Sequence, residues 1–216
     1  QHEFSFNMGR SSAMGLHEDV DRDGLDTWQE KERDTDPNAW DTDGDGMGDG
    51  YEDEHGLDPL EAGDGELDSD GDGLTNLREH DLRSDPFSVD TDGDGMDDGW
   101  EDEKGLDPTT VARESGASDN PDLDVHDNLQ EYIADTDPLD GASYLRVDHL
   151  SVSNAHPGVE FWSSSRRIYD VDASSNLVGA VWQPLIGSFY GLDQDTLVED
   201  ADGAESRAYR LRVRKP

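Results

Sequence analysis

The chain has 216 residues, no cysteine, and 55 Asp+Glu against 16 Lys+Arg, for a net charge of −39. The acid is concentrated: residues 1–140 hold 45 Asp+Glu and 8 Lys+Arg (net −37), whereas residues 141–216 hold 10 and 8 (net −2). This balance excludes nucleic acid as a partner, because phosphate binding needs a basic patch; the lack of cysteine excludes disulfides and thiolate metal sites; and no apolar run approaches the roughly 18 residues of a membrane span.

The chain opens on Gln1 with no visible signal peptide, as expected of a processed form or a fragment. In HEFSFNM, Phe4, Phe6 and Met8 alternate with Glu3, Ser5 and Asn7, the period of a strand. Residues 9–16 (GRSSAMGL) then read as a linker, so residues 1–17 form an N-terminal strand and linker. The alternative for this stretch is a disordered tail.

From residue 18 to 140 one pattern recurs five times. The copies are DVDRDGLDTWQE (19–30), DTDGDGMGDGYE (41–52), DSDGDGLTNLRE (68–79), DTDGDGMDDGWE (90–101) and NPDLDVHDNLQE (120–131). In the first four, Asp stands at positions 1, 3 and 5, Gly at 6 and Glu at 12. An Asp-Pro follows every position-12 Glu by six residues, at Asp36, Asp58, Asp85, Asp107 and Asp137. Disorder or a merely solvated acidic face would not keep such spacing.

The spacing is that of an EF-hand calcium loop. Three carboxylates at positions 1, 3 and 5 meet one cation, and position 6 takes a positive φ. Position 7 offers a backbone carbonyl, position 9 ligates directly or through water, and the position-12 Glu closes the site. The candidate ligands are Asp19, Asp21, Asp23, Leu25 and Glu30; Asp41, Asp43, Asp45, Met47, Asp49 and Glu52; Asp68, Asp70, Asp72, Leu74, Asn76 and Glu79; Asp90, Asp92, Asp94, Met96, Asp98 and Glu101; and Asn120, Asp122, Asp124, His126, Asn128 and Glu131. An all-oxygen set of this size suits Ca2+, four to five ions in all, better than Mg2+. Two carboxylates about 4 Å apart repel by about 4 kcal/mol at an effective dielectric of 20. Ion binding and folding are therefore expected to be one event. The fifth copy departs from the rule, with Asn120 at position 1 and Val125 at position 6. A β-branched residue at positive φ is strained, so this site is expected to be weak, rearranged or empty.

Between each loop and its Asp-Pro only a two-turn helix fits, for example 26–33 or 75–82, because the residue before proline disfavours helix. Each copy carries too few apolar residues to fold alone, so the array is expected to be quasi-one-dimensional. Copies 2 and 4 have Gly then an aromatic residue at positions 10–11, whereas copies 1, 3 and 5 have Trp28, Leu77 or Leu129 at position 10. A two-copy unit of 49 residues is thus duplicated.

Loop and Asp-Pro spacing together resemble the thrombospondin type 3 repeat in the form common in secreted bacterial proteins. The resemblance covers about residues 18–140. It implies an extended, calcium-wrapped rod or spacer with little regular secondary structure. It also implies that Asp36, Asp58, Asp85, Asp107 and Asp137 are secondary ligands to neighbouring ions; capping of the turn before proline is the alternative.

From Gly141 the chain reads as a small antiparallel β-sandwich, with strands in 144–153, 159–164, 167–174, 180–187, 195–200 and 207–214 separated by turn signals. It resembles, less specifically, an immunoglobulin- or fibronectin-like domain. Trp162, Trp182, Tyr169 and Tyr209 form either a sugar-binding platform or the core. Arg166, Arg167, Arg210, Arg212 and Arg214 are expected on solvated strand faces. No catalytic constellation appears, so an enzyme is not expected. At 76 residues the sandwich is short of the roughly 100 of a complete one, and an open edge accepts a strand.

The fold expected is a calcium-stabilised, mostly irregular repeat array with short helical turns, then a small all-β antiparallel sandwich over 141–216. The expected role is an extracellular, cell-surface structural protein, a fibre subunit that self-associates head to tail by adding its N-terminal strand to a neighbouring sandwich. The alternative is a non-catalytic spacer with a polysaccharide- or protein-binding module.

Overall fold

A computed structural model describes residues 17–112, 114–153, 156–175, 181–201 and 207–216. The expected strand at residues 3–8 lies outside them. The chain divides into two compact units. One holds residues up to 92 with 97–102 and 107–109; the other holds 93–96, 103–106 and 110–216. The division passes through the fourth loop, and the fifth copy shares its unit with the β-sheets.

Each copy contributes one seven-residue helix: α1 (Thr27–Arg33), α2 (Asp49–His55), α3 (Asn76–Leu82), α4 (Asp98–Lys104) and α5 (Asn128–Ala134). All start at loop position 9, one residue later than the sequence suggested, because position 8 is the cap. The Asp26 side chain accepts from the Trp28 and Gln29 amides while Gln29 returns a bond to the Asp26 amide; Thr75 caps Arg78, and Asp127 caps Gln130. The ends fall where the sequence placed them, at Arg33 and Leu82 in the two examples, and the stop is a left-handed residue two positions before each Asp-Pro: Asp34 (φ 65°), Gly56 (79°), Arg83 (67°), Gly105 (79°) and Asp135 (62°). Two-turn helices are marginal alone, so loop and neighbour must hold them.

The loops also use a second positive φ that the sequence reading missed. Position 4 is left-handed in all five copies, at Arg22, Gly44, Gly71, Gly93 and Leu123 (φ 63–87°). Position 6 is positive only where it is glycine (φ 103–106° at Gly24, Gly46, Gly73 and Gly95). Val125 does not have positive φ, which corrects the expectation of strain there. In the fifth copy the strained residue is Leu123, at φ 63° and 86% exposed.

Copies stack in a register set by position 10. In the first unit, a Cβ on Gly50 would lie 2.1 Å from the Asp23 carbonyl oxygen, and one on Gly99 would lie 2.4 Å from that of Asp72. Only glycine lets these helices start against the preceding loop. In copy 3, position 10 is Leu77 and lies over Gly46 of copy 2; in the second unit Leu129 lies over Gly95. Gly and Leu therefore alternate because successive contacts alternate between backbone approach and side-chain cover. Ion pairs reinforce the first kind: Arg33 forks onto Asp53, and Arg78 Nε and Nη2 reach Asp102 at 3.0 and 2.6 Å. The position-7 side chains Leu25, Met47, Leu74 and Met96 are buried and supply much of the sparse apolar core.

The second unit adds two antiparallel sheets. One is β1 (His149–Ser153), β2 (His156–Ser163) and β6 (Gln194–Glu199), in the order β1-β2-β6. The other centres on β3 (Ile168–Ser174), paired with β4 (Gln183–Pro184), β5 (Phe189–Tyr190) and β7 (Ala208–Arg214). Val159, Phe161 and Val198 from the first pack against Tyr169 and Val171 from the second, so this is a small sandwich. Residues 144–148, expected in strand, are irregular, and of the expected strand 180–187 the described residues 181–187 yield only the two of β4. The four aromatics do not share a platform. Tyr169 is fully buried in the core, Arg210 lies over Trp182 at 4.7 Å, and the Tyr209 hydroxyl bonds Asp200.

The arginines are likewise not all on solvated faces. Arg210 and Arg212 converge on the buried Asp172 carboxylate. Arg166 and Arg167 lie in the β2–β3 turn and grip the end of α5. Arg167 is buried and donates to the carbonyl oxygens of Tyr132 and, at 2.9 Å, Ile133. Arg166 bridges Asp135 (Nε 2.9 Å) and Glu103 (Nη1 2.7 Å). Cationic donors at a helix C-terminus satisfy its last carbonyls and complement its dipole.

Candidate metal centre

Each loop wraps its acidic residues inward by short side-chain-to-backbone bonds. Asp41 accepts from the Gly44 and Gly46 amides at 2.6 and 3.0 Å, and Asp68 accepts likewise from Gly71 and Gly73 at 2.7 and 3.1 Å. At position 5, one oxygen accepts from the position-7 amide: Asp23 from Leu25 (2.7 Å), Asp45 from Met47 (2.8 Å) and Asp72 from Leu74 (2.8 Å). These Asx turns leave the second oxygens of Asp23, Asp43, Asp45 and Asp70 buried without a hydrogen-bond partner.

The result is convergence. One carboxylate oxygen from each of Asp19, Asp21 and Asp23 lies within 4.8 Å of the others, and the same holds for Asp41, Asp43 and Asp45, and for Asp68, Asp70 and Asp72. Two further clusters involve position 12 and cross between segments. Asp23 and Glu30 of the first copy meet Asp49 of the second; Asp45 and Glu52 meet Asp64. Asp49 stands at position 9 of its own loop, where its oxygens take the Thr42 amide and hydroxyl at 2.7 and 2.6 Å. The structure thus brings Asp49 to the preceding copy's acids. Asp98 repeats the arrangement: Thr91 bonds it at 2.8 and 2.6 Å, and Asp72 acts on it electrostatically.

Asp64 was missed because it lies outside the loop pattern, in the connector PLEAGDGELD. Its Oδ2 accepts from the Asp58 amide at 2.9 Å, and its Oδ1 is buried without a hydrogen-bond partner. The signal available was positional: Asp64 takes the amide of the Asp-Pro aspartate, as Thr42 and Thr91 do for Asp36 and Asp85. The Asp-Pro side chains themselves cap turns. Asp36, Asp58, Asp85, Asp107 and Asp137 each accept from the amide two residues on, at 3.0–3.2 Å.

Position 9 is Asn in copies 3 and 5. Asn76 donates to the Asp64 carbonyl (2.8 Å) and Asn128 to those of Glu114 (3.0 Å) and Gly116 (3.1 Å). The carbonyl oxygen of each amide is buried without a hydrogen-bond partner. In the fourth loop Asp90, Asp92, Asp98 and Glu101 belong to the first unit, and Asp94 and Met96 to the second. In the fifth, Asn120 donates to the Asp124 carbonyl (3.1 Å), Asp122 accepts from the Asp124 amide (3.1 Å), and the His126 ring lies 3.6 Å from Asp124.

The position-12 glutamates carry the electrostatic signature. Glu30, Glu52, Glu79 and Glu101 are 0% exposed and Glu131 1%. Both oxygens of Glu30, Glu52 and Glu79 lack hydrogen-bond partners, whereas Glu131 receives the Thr136 hydroxyl at 3.1 Å. Burial, compounded by the neighbouring aspartates, pushes Glu52 and Glu79 up to about 8 and Glu30 and Glu131 up to about 7. Burial, then Asp72 and Asp90, raises Asp98 to about 6 against the Thr91 bonds. An ionised buried carboxylate without a partner costs far more than a fold's margin. These groups are either protonated or neutralised by a cation, and the donor set is all oxygen, which fits Ca2+.

No curated protein and no solved structure matches this chain. Residues 41–62 and 68–88, which carry the second and third loops with α2 and α3, match the family model of the bacterial TSP3 repeat.

Proposed function

We propose that the chain is a calcium-binding structural module of an extracellular or cell-surface protein, with its acidic copies held together by shared ions. The observation that carries this reading is the set Glu30, Glu52 and Glu79, fully buried, without hydrogen-bond partners, and surrounded by further carboxylates. Asp23 and Asp45, at loop position 5, each belong to an intra-loop cluster and to one that reaches beyond the loop, to Asp49 of the next copy and to Asp64 of the connector, so ions there tie each of these loops to the segment that follows. The ligand set is the one drawn from the sequence, with Asp49 serving the first copy and Asp64 added to the second.

Titration calorimetry with Ca2+ and Mg2+, alongside circular dichroism with and without EDTA, tests this. Expected are four to five bound Ca2+, weak response to Mg2+, and loss of the ordered fold on chelation. A chain that keeps its spectrum and melting curve in EDTA would sink the calcium reading.

A second reading follows from the sheets. Among the described residues, β1, β6 and β7 each pair with one strand only. Open edges accept strands, which supports head-to-tail assembly of an immunoglobulin- or fibronectin-like sandwich into a fibre. Removing residues 1–10 should then abolish calcium-dependent polymers in light scattering; unchanged oligomers rule it out.

A further inference from the structure

We propose that the second unit contains a saccharide-binding cleft with Trp162 as its platform. The cleft has a volume of about 600 Å³, within the usual range for small-molecule sites. Its floor is the outer face of the sheet β1-β2-β6. Along β2, Val159, Phe161 and Ser163 are buried, while Glu160 and Trp162 face the other way and Trp162 is 45% exposed. Asp195 stands directly opposite Trp162 on β6. The wall is the segment from Asp135 to Asp148 that leads out of the fifth copy, with Lys104 at its margin.

Three features point to a polyhydroxylated ligand. First, a half-exposed indole on a rigid central strand offers a flat apolar face, and aromatic rings with a polar surround suit amphipathic ligands. Second, the groups around the indole are mixed acceptors and donors. Glu160 and Asp195 flank it on its own face and offer acceptors. Arg146 is fixed by Asp148 at 2.6 Å and lies over Tyr144 at 5.4 Å. Third, Lys104 and Arg146 stand among the five acids that line the cleft, so it offers donors as well as acceptors. A neutral sugar uses both kinds of group: its hydroxyls donate to the carboxylates and accept from Arg146 and Lys104, while one ring face stacks on Trp162. The site uses none of the residues at loop positions 1–12, although Asp137 of the fifth Asp-Pro lines it.

Its test uses the full chain in calcium, with cellotriose, chitotriose and maltotriose as probes and trilysine as the cationic comparison. Saturation-transfer NMR and calorimetry should detect one or more of the saccharides. Trp162→Ala should weaken binding about tenfold or more, the scale of one lost stacking contact. Trp162→Tyr should retain most of it, and Asp195→Asn should weaken it several-fold. Trp182→Ala, next to β4 of the other sheet, should leave it unchanged. Thermal melts separate misfolding from loss of the site, because Trp162→Tyr keeps the packing and the ring. Failure of all three saccharides to bind at about 10 mM overturns the proposal. So does saccharide binding that survives Trp162→Ala, and so does trilysine binding that Trp162→Ala abolishes while no saccharide binds.

Discussion

Loading the acidic copies with calcium should expel protons, and the number follows from the buried glutamates. With Glu52 and Glu79 pushed to about 8, and Glu30 and Glu131 to about 7, the first pair is about nine-tenths protonated at pH 7 and the second about half. A bound cation requires the carboxylate form. Filling these four positions at pH 7 therefore displaces about three protons, rising toward four at pH 5 and vanishing near pH 9. A site closed by Glu52 or Glu79 should lose about 100-fold in apparent affinity between pH 9 and pH 6, about 2.7 kcal/mol. The ion-free state has the opposite sign. Its raised carboxyls contribute stability below their ordinary values, and that contribution is lost as pH rises through about 7 to 8. Calorimetry of calcium binding in PIPES and in Tris, whose ionisation enthalpies differ widely, counts the protons directly. Release of less than about one proton at pH 7, or an affinity flat from pH 6 to 9, would show that these glutamates do not meet the ions.

Four substitutions probe separate links. Asp49→Asn should weaken the ion held by Asp23 and Glu30 in the first copy by about tenfold or more, while leaving Asp41, Asp43 and Asp45 loaded; NMR of the two loops during titration shows which one fails, and loss confined to the second loop refutes cross-copy ligation. Leu123→Gly relieves a left-handed residue that is 86% exposed and should stabilise the fifth copy by about 1 kcal/mol, seen as a higher midpoint in denaturant. Val125→Gly, at a position without positive φ, should instead cost about 0.5–1 kcal/mol; the same sign for both variants would contradict the assigned backbone. Arg167→Ala strips the donors from the Tyr132 and Ile133 carbonyls and should destabilise the second unit by about 3 kcal/mol, read as an earlier transition in urea; an unchanged curve would mean the clasp on α5 contributes nothing.

What the sequence showed and what it hid follow from how far each constraint reaches along the chain. A loop's own acids lie within twelve residues, so the clustering of Asp41, Asp43 and Asp45 is legible from the text. The short helices are legible for the same reason; their ends at Arg33 and Leu82 fall where expected, and only their starts are one residue later, because position 8 serves as the cap. Convergence of acids between copies is a different matter. Asp49 occupies an expected ligand position, and nothing local says that it faces Asp23 and Glu30 rather than its own loop. The clue was present as alternation of Gly50 and Gly99 with Leu77 and Leu129, but its meaning depends on the carbonyls of Asp23 and Asp72 lying where a Cβ would go. In the C-terminal part the alternating residues of β2 and β3 were readable as strands, since half-buried sheets write a period of two. Arg167 was not, because an arginine on a solvated turn and one buried against the end of α5 look alike until the helix it grips is in place. Sequence patterns report the contacts a segment makes with itself; a position serving a neighbour, as Asp49, Asp64 and Arg167 do, becomes legible only once the register between segments is known.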